Sequence, residues 1–227
     1  MANIVPLLRY SEWTGQNLEP KFPALRLSGL KLLLSKGLLR GTLAEVSGPR
    51  SSGRTSMALH ILAEATRRGE ICAIVDLHDS FHPASAEAGG VDLTRIIWTR
   101  CRGNAEHAMR ATDLLLHGGG FGVVMLDLFE ASPRVLNRMP GSYWYRFRRA
   151  LEHTPAILLI CVETAQAKFC SLYSIELKSE TFDWPGKTPF RLLRGIESTA
   201  MLRKAAHESS AYRSGKLLKG ARIEAVA

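Results

Sequence analysis

Residues 43–56 read LAEVSGPRSSGRTS and decide how the chain folds. The residues before Gly48 are mostly apolar and predict a short strand, whereas those after Gly53 predict the start of a helix. Four residues separate the two glycines, and a basic residue and a hydroxyl residue follow, which is the spacing of a phosphate-binding loop. Glycine lets successive backbone N–H groups turn toward an anion, and the helix N-terminus adds partial positive charge. The candidate nucleotide-binding residues are Gly48, Ser51, Ser52, Gly53, Arg54 and Thr55.

Arg54 departs from this motif, which requires lysine at that position. Lysine is a compact charge that can curl over the loop, whereas arginine is longer and planar and prefers a bidentate partner. Two interpretations therefore stay open: a site that still binds nucleotide, and a retained turn that no longer does.

A second apolar run, residues 121–127, ends in Asp127. In phosphate-binding-loop proteins an aspartate in this place steadies Mg²⁺. Such a run is a weak signal alone, and it gains weight because it follows the loop at a suitable distance. Asp127 joins the candidate nucleotide site, and Thr55 is the candidate hydroxyl for Mg²⁺.

The remaining pattern alternates strands and helices, which predicts an α/β fold with a mainly parallel sheet covered on both faces. We expect a Leu-rich helix over 25–39, further helices over 55–68, 105–117 and 142–152, and strands over 42–47, 71–76, 95–99, 121–127 and 156–162. Two longer strands, over 172–178 and 191–203, are expected to be antiparallel. The predicted organisation is an N-terminal arm (1–24), a core domain (25–205) and a basic tail (206–227) that is weakly ordered or helical.

Charge and cysteine content narrow the class of protein. The chain has 227 residues, a net charge of +9 and a pI near 9.7, which favours an anionic partner such as nucleic acid or an acidic protein surface. The alternative is charge dispersed over a solvated surface. We see no run of transmembrane length and no signal-peptide segment. The four cysteines form no CxxC pair and predict buried thiols in a reducing cytoplasm, without a metal site.

Four stretches together resemble the RecA recombinase core: residues 41–55, 70–76, 90–93 and 123–127. Because the chain is shorter than a recombinase, it resembles more closely the ImuA family, RecA-like proteins of bacterial mutagenesis cassettes. The resemblance implies a role in translesion synthesis after DNA damage. It also implies three protein partners: an ImuB-type inactive relative of the Y-family polymerases, RecA, and an error-prone replicative-type polymerase. DNA stays open as a further partner.

The departures from the recombinase pattern limit what the resemblance implies. His78 stands where recombinases have the glutamate that activates water, and Asp79 is one residue further along. With Arg54 in the loop as well, two parts needed for phosphoryl transfer are altered, so little ATP hydrolysis is expected and no cofactor is assigned, although ATP and Mg²⁺ stay open. The loop with which recombinases grip single-stranded DNA looks deleted after Val162. The N-terminal helix that joins filament neighbours is not evident either, so a self-assembling filament is not expected.

The helix predicted over 142–152 carries a cluster of aromatic residues and arginines. Tyr143, Phe147 and Leu151 share one face and are expected to pack on the sheet, with Trp144 and Arg148 as flanks. The outward residues are candidate partner or DNA contacts, as are three basic residues of the tail: Tyr145, Arg146, Arg149, Lys216, Lys219 and Arg222. An ordinary solvated helix face is the alternative.

These observations favour a non-enzymatic, RecA-like accessory protein that binds proteins, DNA or both. The alternative is a weak DNA-stimulated ATPase, or a switch that binds nucleotide through the loop.

Overall fold

The computed structural model describes residues 22–27, 34, 36–167, 170–184, 195–205 and 216–224. Eight strands form one sheet, and six of them run parallel. The strands are β1 (Thr42–Ser47), β2 (Cys72–Asp76), β3 (Ile96–Arg100), β4 (Val123–Asp127), β5 (Ile157–Val162), β6 (Tyr173–Asp183), β7 (Gly195–Ala205) and β8 (Lys216–Glu224). Their order is β3-β2-β4-β5-β1-β6-β7-β8, with β7 antiparallel to both β6 and β8. The predicted fold class is confirmed.

Along the chain, the helices connect successive parallel strands, as crossover connections require. They are α1 (Arg54–Arg67), α2 (Pro83–Ala88), α3 (Ala105–Gly118), α4 (Pro133–Arg138) and α5 (Ser142–Leu151), with a 3₁₀ turn at Leu93–Arg95. The predicted cap of α3 is confirmed, because the Asn104 side chain accepts a hydrogen bond from the His107 N–H at 3.0 Å. The predicted helix and strand over 55–68 and 156–162 match α1 and β5 within one residue at each end. The short α4 was not predicted.

Every residue of β2, β4 and β5 is buried, as expected for central parallel strands covered on both faces. One core cluster packs α1 against the sheet, with Ile61 and Leu62 fully buried. The other packs α3, α4 and α5 against the opposite face, with Phe147 fully buried. The helix α1, which follows the phosphate-binding loop, and the helix α5 therefore pack on opposite faces of the sheet.

The helix predicted over 25–39 is wrong at its two ends. Leu25 and Leu38 pair as an antiparallel bridge, with N–H to O distances of 2.8 and 2.9 Å, so the chain turns back on itself between them. Gly37 permits the return because its φ is +78°, and a Cβ there would lie 2.4 Å from the Leu25 carbonyl oxygen. Residues 28–33 and 35 of this prediction lie outside the described residues.

The expected N-terminal arm lies largely outside the described residues, which begin at Phe22. The part that is described is attached by arginines of the core. Arg40 donates to the Pro23 carbonyl at 3.3 Å and to the Gly122 carbonyl at 3.0 Å, and Arg68 donates to the Ala24 carbonyl at 3.2 Å. The division of the chain at residues 24 and 205 remains a prediction.

The prediction of a weakly ordered or helical tail is wrong over Lys216–Glu224, which forms β8. This strand pairs with β7 in register, Ile196 opposite Ile223 and Glu197 opposite Arg222. The two longer strands expected before it are confirmed as the antiparallel pair β6 and β7. The turn expected at 184–186 lies mostly outside the described residues.

Within the described part of the chain, no helix combines the length and apolar character that crossing a membrane requires.

Candidate nucleotide site

The predicted strand–loop–helix is confirmed: β1 ends at Ser47, the loop follows, and α1 begins at Arg54. The loop is tightly packed. A Cβ at Gly48 would lie 2.5 Å from both the Leu177 carbonyl oxygen and the Ser52 hydroxyl oxygen, so this position accepts glycine alone. Ser52 is fully buried, and its hydroxyl has no hydrogen-bond partner among the described residues. No side chain caps the start of α1 at Gly53.

The guanidinium of Arg54 forms hydrogen bonds within the protein. Its side chain is buried, with 4% of the residue exposed. Nη1 donates to the Gly48 carbonyl at 2.7 Å, and Nη2 donates to the Phe129 carbonyl at 3.2 Å. The guanidinium carbon lies 4.5 Å from the centre of the Phe129 ring. Arginine's planar fork thus ties the loop to the chain just after β4, which a lysine ammonium could not do at both ends.

A second contact, at the protein surface, also joins the loop to the chain just after β4. Glu130 forms an ion pair with Arg50 of the loop, and its other carboxylate oxygen lies 3.4 Å from Arg54 Nη2. The Arg50 side chain is 76% exposed, so this ion pair is screened by water and adds little stability. The buried Arg54 hydrogen bonds therefore hold the loop against the chain after β4 more strongly than the exposed Arg50–Glu130 ion pair does.

Asp127 lies at the end of β4, directly beside this closure. Its carboxylate accepts from the Phe129 N–H at 3.0 Å and from the Ser80 hydroxyl at 3.0 Å. Burial raises the pKa of Asp127 to about 6, although these two hydrogen bonds and the charge of Arg54 act in the opposite direction. The carboxylate is therefore buried and hydrogen-bonded to groups of the protein itself.

Asp76 is the neighbour of Asp127 on β2, and the two are paired in register. Asp76 is fully buried and accepts hydrogen bonds from the Ser80 and Phe81 N–H groups at 3.0 and 2.9 Å and from the Trp98 indole at 3.2 Å. Its role is to hold the turn after β2, which includes His78.

His78 and Asp79 lie in that turn and have different surroundings. His78 is exposed. Asp79 has a φ of +59° and accepts two hydrogen bonds from Arg100, at 3.1 and 2.9 Å. Arg100 in turn lies 5.0 Å from the centre of the Trp98 ring. The Asp79 carboxylate is therefore bound by β3.

A magnesium triphosphate does not fit this arrangement. The cation expected to meet phosphate, Arg54, is buried on two carbonyls, and the carboxylate expected to hold Mg²⁺, Asp127, is already bonded to Ser80 and the Phe129 N–H. Thr55, the candidate metal-binding hydroxyl, is exposed, so the misfit lies at Arg54 and Asp127 and not at Thr55. Among the described residues, no group of three His, Cys, Asp or Glu side chains is placed to hold a metal ion.

The connection after β5 is fixed by a buried carboxylate of β1. Glu45 is fully buried, and its Oε1 accepts from the Gln166 and Ala167 N–H groups at 2.6 and 2.9 Å. Because β5 ends at Val162 and β6 begins at Tyr173, only residues 163–172 separate the two strands along the chain, and the connection is short, as expected.

The aromatic cluster of α5 is divided between core and surface. Trp144 is buried together with Phe147 and Leu151, whereas Tyr143 is only partly buried, so the expectation that Trp144 forms a flank is wrong. Trp144 and Phe147 pack edge to face with ring centroids 6.0 Å apart.

Three candidate contact residues of α5 lie on its outer side, as expected. Tyr145 is 51% exposed and Arg149 is exposed. Arg146 has an intramolecular partner, because it donates to the Asp113 carboxylate of α3 at 2.5 Å. The candidate tail residues, Lys216, Lys219 and Arg222, lie on β8, and their side chains are outside what the structure describes.

Sequence reasoning identified the loop and Asp127 but missed Phe129, Glu130, Asp76 and Ser80. Phe129 and Glu130 are the second and third residues after Asp127, and the acidic residue there is a signal for an ion pair with the loop's arginines. Asp76 gave a similar signal, because it ends an apolar strand in the same way as Asp127.

Comparisons with known proteins agree with the fold of the strand–loop–helix. Residues 27–135 match the RecA N-terminal domain. Protein RecA of Chlorobium limicola is 41% identical over 95 residues, which is 42% of this chain and 27% of that protein. Protein RecA of Brucella anthropi and of Brucella suis are each 39% identical over 99 residues, 43% of this chain and 27% of the relative. The chain spans about a quarter of the length of these relatives. The fold is RecA-like, and the matched region contains the loop and β4 and ends at residue 135, inside α4.

Proposed function

We propose that this RecA-like chain is a non-enzymatic accessory protein of translesion synthesis after DNA damage, similar to the ImuA proteins of bacterial mutagenesis cassettes. It acts in a mutagenesis complex by binding partner proteins, DNA or both. The observation that carries the proposal is the burial of Arg54 between the Gly48 and Phe129 carbonyls. The protein's own guanidinium closes the loop that nucleotide would otherwise order.

Opening that closure for a nucleotide is unfavourable. Arg54 would have to leave two buried carbonyl acceptors, and an unsatisfied buried acceptor costs about 1–3 kcal/mol. Asp127 would have to exchange its hydrogen bonds from Ser80 and Phe129 for a hydrated cation. Since phosphoryl transfer depends on positioning and charge stabilisation, a chain with Arg54 bound internally and His78 in place of a glutamate lacks what hydrolysis requires.

A loop that the protein's own arginine closes suits a scaffold. Its surfaces keep one conformation whatever the nucleotide supply, so binding of partners does not wait for ATP. The proposed partners are an ImuB-type inactive Y-family polymerase relative, RecA, and an error-prone replicative-type polymerase, with DNA as a further partner. The similarity to RecA and the net charge of +9 support this set. The four free cysteines, all buried, support a cytoplasmic location.

Pull-down experiments with the full chain test the proposal. The purified protein is immobilised and challenged separately with the ImuB-type protein and with RecA, each with and without DNA, and with and without ATP. We expect capture of at least one protein that does not change when ATP is added. Absence of binding to both proteins under every condition would contradict the proposal.

The alternative, a weak DNA-stimulated ATPase or a nucleotide-regulated switch, has observations of its own. The N-terminus of α1 is not capped by a side chain, Asp127 is retained, and the buried Ser52 hydroxyl has no hydrogen-bond partner among the described residues. Micromolar, Mg²⁺-dependent ATP affinity that Asp127→Asn abolishes would favour this alternative. A matched Asp79→Asn variant controls for the loss of a nearby charge, because Asp79 is bound by Arg100.

A further inference from the structure

The stretch 131–151, which contains α4 and α5, carries five arginines and no acidic residue. Arginines are paired within the chain both in this stretch and elsewhere: Arg146 with Asp113, Arg67 with Glu64 and Arg100 with Asp79. The concentration of positive charge in this one stretch is a local feature and does not follow from the overall composition alone.

The two helices present this charge on the same side of the molecule. Leu136 of α4 and Phe147 of α5 are buried in the same core cluster, so the outer sides of both helices face away from the same face of the sheet. The exposed residues on those outer sides define the α4–α5 face: Arg134, Arg138, Tyr145 and Arg149. Positions four residues apart on a helix are neighbours, so Arg134 lies near Arg138 and Tyr145 lies near Arg149.

The chemistry of the face favours carboxylates over nucleobases. Arg146, next to the face, already binds a carboxylate, that of Asp113, at 2.5 Å. Single-stranded nucleic acid binds on successive aromatic rings, but Trp144 and Phe147 are buried and Tyr145 is the one exposed aromatic ring of α5. A face with several arginine forks and one exposed tyrosine ring is complementary to acidic side chains that flank an apolar residue.

We propose that the α4–α5 face docks an acidic amphipathic segment of a partner protein. Carboxylates of that segment pair with Arg134, Arg138 and Arg149, and an apolar side chain packs on the Tyr145 ring. This inference rests on the proposed function as a scaffold, and it names the kind of partner surface that the scaffold receives.

A binding experiment on the full chain tests the inference. The probe is a fluorescent synthetic helical peptide in which glutamates recur every four residues and flank leucine, and oligothymidylate serves as the nucleic-acid probe. The test variant carries Arg134→Glu, Arg138→Glu and Arg149→Glu. The control carries Arg26→Glu, Lys36→Glu and Arg102→Glu, three exposed basic positions elsewhere, so both variants have the same net charge.

We expect the test variant to lose peptide affinity by about tenfold or more and the control to change it by less than about threefold. Tyr145→Ala weakens the peptide further at high salt, where ion pairs are screened and the apolar contact remains. Circular dichroism verifies folding, and if the test variant is unfolded, glutamine replaces glutamate at the three test and the three control positions, which keeps the net charges equal.

Two results would overturn the inference. Equal loss in test and control variants would show attraction by net charge alone. Oligothymidylate that competes with the peptide and loses as much affinity in the test variant would assign the face to nucleic acid. ATP binding by the wild-type chain would contradict the proposed function without changing the peptide result, so the two failures are distinguishable.

Discussion

Replacing Arg54 by alanine tests whether the phosphate-binding loop is held closed by its own guanidinium. The substitution removes two buried hydrogen bonds, to the Gly48 and Phe129 carbonyls at 2.7 and 3.2 Å, and the contact with the Phe129 ring. Hydrogen bonds to a charged group contribute about 1.5–3 kcal/mol each, and a desolvated cation–π contact about 2 kcal/mol. The Glu130 contact adds little, because its distance is 3.4 Å and Glu130 is partly exposed.

Since such terms overlap and are not additive, we expect Arg54→Ala to lower the free energy of unfolding by about 3–4 kcal/mol. Urea denaturation followed by circular dichroism measures this difference. In a chain of this size each kcal/mol shifts Tm by about 2–4 °C, so the expected decrease is about 10 °C. Arg54→Lys keeps a cation but cannot reach both carbonyls, and it should lie between wild type and Arg54→Ala.

Arg50→Ala is the matched control, because it removes an exposed loop arginine and should change the free energy of unfolding by no more than about 0.5 kcal/mol. An Arg54→Ala protein as stable as the wild type would refute the reasoning. So would an Arg50→Ala protein destabilised to the same degree, because the exposed ion pair with Glu130 would then be the closure.

Three further predictions concern buried groups near the site and in the core. Burial raises the pKa of Asp127 from 3.8 to about 6, so between these values the folded chain binds more protons than the unfolded chain and stability falls as pH rises. Urea denaturation of wild type and Asp127→Asn at about pH 4.5 and about pH 7.5 should show that the variant lacks this decrease; a parallel pH dependence in both would contradict the assignment. Glu45→Ala leaves the Gln166 and Ala167 N–H groups without their acceptor and should lower the free energy of unfolding by about 2–4 kcal/mol. Glu45→Gln keeps an acceptor and should lower it by less. If the two variants are equally stable in urea denaturation, Glu45 does not have this role. Phe147→Ala removes a fully buried ring and should cost about 3–5 kcal/mol in thermal or urea denaturation, while Tyr145→Ala on the exposed side should cost less than about 1 kcal/mol.

The elements that sequence predicted well are those with local signals. The run from β1 through the loop to α1 was placed within a residue because two glycines and an apolar strand define it. The same holds for α3, whose start is marked by the capping Asn104.

The elements that sequence missed depend on contacts between distant residues. A Leu-rich periodicity does not distinguish a helix from two segments that turn back at Gly37 and pair through Leu25 and Leu38. The strand β8 exists through its pairing with β7, and its own residues, rich in lysine and arginine, gave no strand signal.

For the candidate site, sequence showed that Arg54 replaces a lysine but not what that arginine does. Its partners, the Gly48 and Phe129 carbonyls, are backbone groups that no residue type announces. Likewise, the pairing of Asp79 with Arg100 depends on the neighbouring positions of β2 and β3 in the sheet. The sequence therefore showed that Arg54 departs from the phosphate-binding motif, and the structure showed that Arg54 binds two backbone carbonyls as a result.

Equilibrium binding of ATP to the purified wild-type chain, with and without Mg²⁺, tests the central claim most directly. If Arg54 closes the loop, isothermal titration calorimetry should detect no binding with a Kd below about 1 mM, which corresponds to about −4 kcal/mol. Micromolar binding that requires Mg²⁺ and disappears in Asp127→Asn would contradict the claim.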